Sequence, residues 1–384
     1  MPPVSTDSPP PPSSAARPQP RPGLLAIEPY VGGSSRLPGF ARPTKLSANE
    51  SAFGPSPKAA EAVRQLAGEL HRYPDGDSTD LRAAIAAGHG VPAEHVLCGT
   101  GSDEVIGLLV RAYAGAGDEV LFTRHAFAMY PIATLAAGAT PVTVEERDLR
   151  ADVDALIAGQ TERTRIVCLA NPNNPTGTYI PADELRRLRR GLRDDVLLII
   201  DSAYAEYIRR ADYDDGASLV AAGDNTVMTR TFSKIYGLGA VRLGWAYAPE
   251  EVSRVFHRVR NPFNVSAPAQ VAGVAALADT TFIEQARDHN DAMLPWFAER
   301  VAGLGLGAPS SVANFQLVRF ADAGAARGAS EALAGVGIIA RPMAVYDLAD
   351  CLRITLGTRD EMNRVVDALA TFTRSNSRAA LKRS

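Results

Sequence analysis

The sequence predicts an α/β fold: a large domain with a mainly parallel sheet sandwiched by helices, plus a smaller α+β domain. From about Ser78 to Leu243, short apolar runs alternate with helical patterns, as they do in βαβ units. Unusual polar residues follow the carboxyl end of each apolar run, and open α/β sheets bind ligands at that edge. Beyond about Thr281, helical patterns accompany only a few strands, which predicts the second domain.

The predicted strands are short apolar runs bounded by turn residues, which is typical of strands buried in a parallel sheet. In the large domain they cover residues 96–98, 119–122, 165–170, 196–200 and 226–230. In the small domain, strands at 314–320 and 351–356 flank a helix near residues 325–334. Polar candidates for a ligand site therefore cluster at the carboxyl edge of one sheet.

The predicted boundaries follow changes in composition. They give a Pro-rich tail at 1–23, an arm joining the small domain at 24–45, the large domain at 46–280, the small domain at 281–373 and a basic tail at 374–384. Nine of the first 22 residues are proline, so we expect disorder there. The last eleven residues carry four basic side chains and no acid, and we expect them to fray.

Composition narrows the class of protein. A chain of 384 residues with 46% hydrophobic residues can bury a large core. Its net charge of −3 gives no general reason to expect nucleic acid or an anionic membrane as a partner. Membrane spans need about 20 apolar residues in a row, and the sequence has no such run. Three widely spaced cysteines predict reduced thiols in a cytoplasmic protein, and the six histidines show no metal-ligand spacing.

Lys234 is the most informative residue. It lies in the run Thr231-Phe232-Ser233-Lys234 after a predicted strand, with Arg242 eight residues later. A lysine at a strand end beside phosphate-binding side chains is where a Schiff base to pyridoxal phosphate is built. A lysine of pKa near 10.4 needs burial and nearby cations for this chemistry. The alternative is a surface lysine after a strand, which this motif alone leaves open.

The phosphate of such a cofactor would bind at the start of the helix that opens at Ser102-Asp103. Unpaired backbone amides and the helix dipole favour an anion there. Two hydroxyls and a guanidinium would complete the binding site: Thr231, Ser233 and Arg242.

The cofactor ring needs its own partners. Asp201 ends a run of aliphatic residues, and a carboxylate in that setting needs a cation such as a pyridinium nitrogen, which it keeps protonated. Tyr204 and Asn174 are candidate donors to the phenolic oxygen. Phe127 is a candidate platform for the ring face, with ordinary core packing as the alternative.

Two arginines of the small domain are candidates for substrate binding. Arg353 lies inside an apolar run, where a guanidinium usually holds a carboxylate or phosphate through two oxygens. Arg341, before Pro342, is a candidate for a second anionic group. An internal salt bridge is the alternative for both.

These motifs together resemble the fold-type I, aspartate-aminotransferase-like enzymes that use pyridoxal phosphate. Within them, the chain is most similar to the histidinol-phosphate aminotransferase branch. The resemblance covers about residues 24–373, and its superfamily motifs are 171–177, 201–204 and 231–242. The branch rests mainly on 337–342 and 352–357, with 72–75 and 46–57.

The resemblance implies a role for each candidate residue. Lys234 is the Schiff-base lysine and proton shuttle. Asp201 pairs with the ring nitrogen, Asn174 and Tyr204 form hydrogen bonds with the phenolic oxygen, and Phe127 stacks on the ring. The phosphate is surrounded by Ser102, Asp103, Thr231, Ser233 and Arg242. Tyr73 reaches that phosphate from a second subunit, which implies a homodimer with shared sites. Arg353 binds the substrate α-carboxyl or a related anchoring group, and Asn174 also contacts the substrate. Arg341 and Tyr30 face the far end of the substrate.

The expected reaction is a transamination between an amino donor and a 2-oxo acid. The branch implies that histidinol phosphate and 2-oxoglutarate give imidazole acetol phosphate and glutamate, a reaction of histidine biosynthesis. The alternatives are a broad aromatic transaminase acting on phenylalanine or tyrosine and, more distantly, a decarboxylase of a phosphorylated amino acid or a non-catalytic regulator that binds the cofactor.

Overall fold

The structure is a computed structural model that describes residues 18–30 and 32–381, with side chains through residue 375. Most of the predicted Pro-rich tail and the last three residues of the basic tail lie outside the described residues. Within them, a central sheet and a smaller antiparallel sheet are each packed against helices, and no helix is long and apolar enough to cross a membrane. The predicted fold class is confirmed.

The central sheet forms the core of the larger unit. In the described part of the chain it has seven strands, in the order β2-β10-β9-β8-β7-β3-β4. They are β2 (Val96–Gly99), β3 (Glu119–Thr123), β4 (Thr140–Val144), β7 (Thr164–Ala170), β8 (Leu197–Asp201), β9 (Thr226–Thr231) and β10 (Gly244–Tyr247). Strand β10 is antiparallel to both of its neighbours, and the other pairs are parallel. The carboxyl ends of the parallel strands therefore meet at one edge.

Helices cover the central sheet on both faces. Those of the larger unit are α1 (Pro57–Leu66), α2 (Thr79–His89), α3 (Ser102–Tyr113), α4 (Met129–Ala137), α5 (Val153–Ala158), α6 (Ala182–Gly191), α7 (Ala217–Ala222), α8 (Glu250–Val259) and α9 (Ala267–Leu277). Helix α6 buries Leu185 and Leu188. Its Arg186 and Arg190 are exposed, whereas Arg189 is half-buried and donates to the carbonyl oxygen of Val196 at 2.9 Å. A two-stranded hairpin, β5 (Glu146–Arg147) with β6 (Arg150–Ala151), lies between β4 and α5.

The smaller unit has its own apolar core. Its antiparallel sheet has the order β11-β14-β13, formed by β11 (Phe315–Arg319), β13 (Arg341–Met343) and β14 (Leu348–Thr355). Helices α10 (Thr280–Gly303), α11 (Ala323–Gly335) and α12 (Arg359–Leu381) belong to it. Phe297, Leu333 and Leu352 are buried together in its core.

The arm before the large unit is tied to the smaller one. Strand β1 (Thr44–Lys45) pairs in parallel with β12 (Ile338–Ile339). The structure differs from the sequence analysis in two ways. Helix α12 continues through Leu381, into the segment expected to fray, and several short strands were not foreseen, among them β4 and β10 of the central sheet and β13 of the smaller one. Strand β10 is four residues long and follows a loop of glycines, so its apolar run is too short to stand out.

Candidate active site

The carboxyl edge of the central sheet opens into a cavity of about 330 Å³. Most of the predicted site residues line it: Tyr30, Ser102, Asp103, Phe127, Asn174, Asp201, Tyr204, Thr231, Ser233, Lys234 and Arg242. They come from segments far apart in the sequence. The sheet topology brings most of them together because they lie at or after the ends of strands that meet at this edge, whereas Tyr30 comes from the arm.

Lys234 follows β9 and presents its amine to the cavity. The amine donates a hydrogen bond to the carbonyl oxygen of Ala48 at 3.4 Å and lies 5.7 Å from the centre of the Tyr204 ring. Burial, followed by the positive charge of Arg353, lowers the pKa of Lys234 to about 8. About a tenth of the amine is therefore unprotonated at pH 7, far more than in an ordinary lysine, and the unprotonated form is the one that acts as a nucleophile and base.

An anion-binding pocket lies beside the amine, at the start of α3. Arg242 donates to Asp103 at 2.8 Å and to the Ser233 hydroxyl at 3.3 Å. Gly244 faces the first turn of this helix, and a Cβ there would overlap the backbone nitrogen of Ser102. Helix amides, hydroxyls and a guanidinium are the groups that bind a phosphate. The residues present fit that group.

Asp201 lies on the floor of the cavity and is buried. Its Oδ2 accepts a hydrogen bond from Tyr130 at 3.0 Å, and its Oδ1 accepts one from Thr229 at 3.3 Å. Burial raises the pKa of Asp201 to about 6, although both hydrogen bonds act to lower it. Two neutral donors do not compensate a buried carboxylate, so a cationic ring nitrogen fits this position.

The substrate side of the cavity is bounded by Arg353. Its guanidinium donates to the side-chain oxygen of Asn174 and to the carbonyl oxygen of Ser47, and it lies 5.4 Å from the centre of the Phe315 ring. Both acceptors are neutral, and none of the ion pairs in the described residues involves Arg353, so the internal salt bridge that the sequence left open is not found there. A buried guanidinium with neutral partners fits an anionic substrate.

Tyr73 and Arg341 are among the predicted residues that do not line the cavity. Tyr73 does not line the cavity of its own chain: it is 83% exposed and stacks on Phe263 at 4.8 Å. Arg341 lies on β13 directly across from Arg353 and is not among the lining residues. Tyr30, from the arm, does line the cavity although it is 54% exposed. Phe127 lies at the cavity and contacts Tyr130 edge to face at 5.9 Å, so it combines a site position with core packing.

Sequence reasoning missed several residues of the site. Tyr130 and Thr229 hold Asp201, Asn49 donates to the Tyr204 hydroxyl at 2.8 Å, and Glu50 lines the cavity. Tyr130 has the pattern of an ordinary core residue of α4, so nothing in its neighbours along the chain signals a partner in β8. The positive φ of Asn49, 56°, is a feature of the folded backbone that the residue type only weakly suggests.

Comparison with known proteins agrees with this geometry. The family described as aminotransferase class I and II matches residues 41–369. The histidinol-phosphate aminotransferase of Paramagnetospirillum magneticum is 58% identical over 357 residues, covering 92% of this chain and 98% of that protein. That of Rhodospirillum rubrum is 51% identical over 362 residues, covering 94% of this chain and 98% of that protein.

A solved structure is similar over nearly the whole chain. The histidinol-phosphate aminotransferase of Sinorhizobium meliloti, in complex with pyridoxal 5'-phosphate, has a TM-score of 0.86 at 29% sequence identity. The match covers 94% of this chain and 100% of that one.

Proposed function

The chain belongs to the aminotransferase class I and II family, and we propose that it is a pyridoxal-phosphate-dependent transaminase that converts histidinol phosphate and 2-oxoglutarate into imidazole acetol phosphate and glutamate. One observation carries the proposal: an amine of lowered pKa, a buried carboxylate and an anion pocket line the same cavity. Relatives that carry this enzyme's name are 58% and 51% identical over almost their full length.

The residues of the site divide the work between them. Bound there, pyridoxal phosphate supplies an aldehyde that takes the amino group and a ring that withdraws electrons from the neighbouring carbon. Asp201 holds the ring nitrogen, and Ser102, Ser233 and Arg242 hold the phosphate. Lys234 removes the proton from the substrate Cα in one half-reaction and gives a proton to Cα in the other. A pKa of about 8 suits an amine that must both accept and release a proton.

Substrate anions meet the small-domain side of the cavity. Arg353 anchors the carboxylate of 2-oxoglutarate and the corresponding group of the phosphorylated donor. Arg341 and Tyr30 face the far end of the substrate. The cross-strand position of Arg341, opposite Arg353, places two guanidinium-bearing residues on this side, which suits a dianionic phosphate.

The active form is a homodimer in which Tyr73 reaches the phosphate pocket of the partner. The exposure of this tyrosine, 83% in the single chain, and its stacking on Phe263 support a role outside its own cavity. The protein works in the cytoplasm, in histidine biosynthesis. Cys98, Cys168 and Cys351 are buried free thiols, as a reducing compartment favours.

The test is to compare amino donors with the purified, cofactor-loaded protein. With 2-oxoglutarate as acceptor, kcat/KM for histidinol phosphate should exceed that for phenylalanine by at least about 100-fold, because phenylalanine lacks the phosphate dianion that the two arginines are proposed to bind. A preference for phenylalanine would favour the aromatic transaminase instead. Release of carbon dioxide without amino transfer would favour a decarboxylase.

A further inference from the structure

The three carboxylates that line the cavity have different partners and different exposure. They belong to Asp103, Asp201 and Glu50. Asp103 is paired with Arg242 at 2.8 Å, and Asp201 is held by Tyr130 on the cavity floor. Glu50 is in another position, in the segment that covers Lys234, and its side chain is 52% exposed. Across the part of the chain that the structure describes, Glu50 is paired only through Oε1, with Lys45, which does not line the cavity, so of these three acids it is the one whose second oxygen is available to a substrate.

The backbone that carries Glu50 is held firmly by both units of the protein. Asn314 of the smaller unit donates to the carbonyl oxygens of Asn49 and Glu50 at 3.1 and 3.3 Å. The amide of Asn49 donates to the Thr355 hydroxyl at 2.9 Å, and its side chain donates to Tyr204 of the larger unit at 2.8 Å. A carboxylate on so fixed a backbone offers a defined direction to a bound group.

The charge around Glu50 also fits a ligand with a hydrogen-bond donor. Its Oε1 accepts from Lys45 at 2.7 Å, a contact on the outer side of the cavity where Lys45 is not itself a lining residue. Glu50 and Lys234 line the same cavity, and the carbonyl oxygen of Ala48, two residues before Glu50, accepts a hydrogen bond from the Lys234 amine. A substrate bound between Lys234 and Arg353 would therefore pass near this acid.

We propose that Glu50 is the group that selects an imidazole-bearing amino donor, by accepting a hydrogen bond from an imidazole N–H. This inference rests on the proposed function, and it assigns the donor's three polar groups to three places. The amine lies near Lys234, the phosphate binds Arg353 and Arg341, and the imidazole binds Glu50. Neutral imidazole has one N–H donor and imidazolium has two, so either form can bind a carboxylate.

The same acid discriminates against the alternative donor. A phenyl ring offers no N–H, and seating it against Glu50 removes water from a carboxylate without replacing the lost hydrogen bonds. Glutamate, the product of the other half-reaction, has no imidazole and gains nothing from Glu50. The role of Glu50 is therefore confined to one of the two substrates that share the cavity.

The experiment uses Glu50→Gln, which keeps the size of the side chain and removes its charge. Glu61→Gln is the matched control, since Glu61 is also 52% exposed and pairs with an arginine, Arg64, on α1 away from the cavity. Each cofactor-loaded protein is mixed with histidinol phosphate, glutamate or phenylalanine, and the half-reaction is followed by the absorbance of the cofactor. A further readout is the dissociation constant of imidazole itself, measured as competitive inhibition of the glutamate half-reaction.

The expected result is selective. In Glu50→Gln, kcat/KM for histidinol phosphate falls about tenfold, since the hydrogen bond is to a charged but half-exposed group. Imidazole binding weakens, the glutamate half-reaction stays within about twofold, and phenylalanine is used as well as before or better. Glu61→Gln matches the unaltered protein throughout.

Two other results would overturn the inference alone: an unchanged rate with histidinol phosphate, or an equal loss with histidinol phosphate and glutamate, which would mean that Glu50 acts on Lys234. If the unaltered protein does not use histidinol phosphate at all, the proposed function fails first, and this inference falls with it.

Discussion

Removing the hydroxyl of Tyr130 should destabilise the cofactor-free protein more at pH 8 than at pH 5. The change is Tyr130→Phe, which keeps the ring against Phe127 and deletes the 3.0 Å hydrogen bond to Asp201. Burial raises the pKa of Asp201 to about 6, above its ordinary value, so between about pH 4 and pH 6 the folded protein holds a proton that the unfolded chain has released. The contribution of Asp201 to stability therefore falls as the pH rises through that range.

The loss in the free energy of unfolding depends on whether the acceptor, Asp201, is charged. At pH 8 Asp201 is ionised, and the lost hydrogen bond to a charged group costs about 1.5–3 kcal/mol. At pH 5 the acid is mostly protonated, and a neutral hydrogen bond contributes about 0.5–1.5 kcal/mol. The variant should thus lose about 1–1.5 kcal/mol more at pH 8, which lowers the thermal midpoint of a domain of this size by a further 2–6 °C, roughly.

The assay is thermal unfolding of the cofactor-free protein at both pH values. Tyr213→Phe is the control, because the Tyr213 hydroxyl donates to a neutral acceptor, the backbone carbonyl oxygen of Asn171, at 2.7 Å. Its effect should be the same at pH 5 and pH 8. If Tyr130→Phe also has the same effect at both, or a larger one at pH 5, Tyr130 does not stabilise the ionised form of Asp201 and the assignment is wrong.

Three further changes test the rest of the site. Lys234→Ala should reduce transamination by at least about 10⁴-fold while the fold, measured by circular dichroism, is unchanged, and full activity would be decisive against the mechanism. Arg353→Lys should raise the KM for 2-oxoglutarate about 10-fold or more, because an ammonium cannot hold Asn174 and a carboxylate in the same planar geometry; an unchanged KM would place the anion elsewhere. Gly244→Ala should weaken binding of pyridoxal phosphate, titrated by absorbance, because the new Cβ overlaps the Ser102 amide; unchanged binding would show that the first turn of α3 does not hold the phosphate.

The strand ends were the part of this protein that the sequence predicted best. Lys234, Asp201 and Ser102 all follow apolar runs, and a parallel sheet requires the ends of such runs to meet, so these residues could be placed at one cavity before any coordinates were known. The contacts of Tyr130 could not be placed in this way, since helix periodicity gives the buried face of α4 and not the atom that its hydroxyl reaches. The partner of Tyr73 also stays a prediction, because a single chain contains one half of any contact between subunits.

The cofactor side and the substrate side of the cavity are formed by different elements of the fold, and this affects how substrate preference can change. The groups proposed to hold the cofactor come from the strand ends of the central sheet and from the start of α3. The groups proposed to face the substrate come from elsewhere: Glu50 from the segment after β1, Arg353 from β14, and Tyr30 from the arm. In the segment after β1, the carbonyl oxygen of Ala48 accepts a hydrogen bond from Lys234, and the Asn49 side chain donates to Tyr204. Substitutions that leave the amine undisturbed are therefore expected at Glu50 and Tyr30, and not at Asn49. The residues that set the preference for an amino donor are therefore different from those that carry out the proton transfer. Substitutions among the substrate-facing residues alone should change selectivity without loss of turnover.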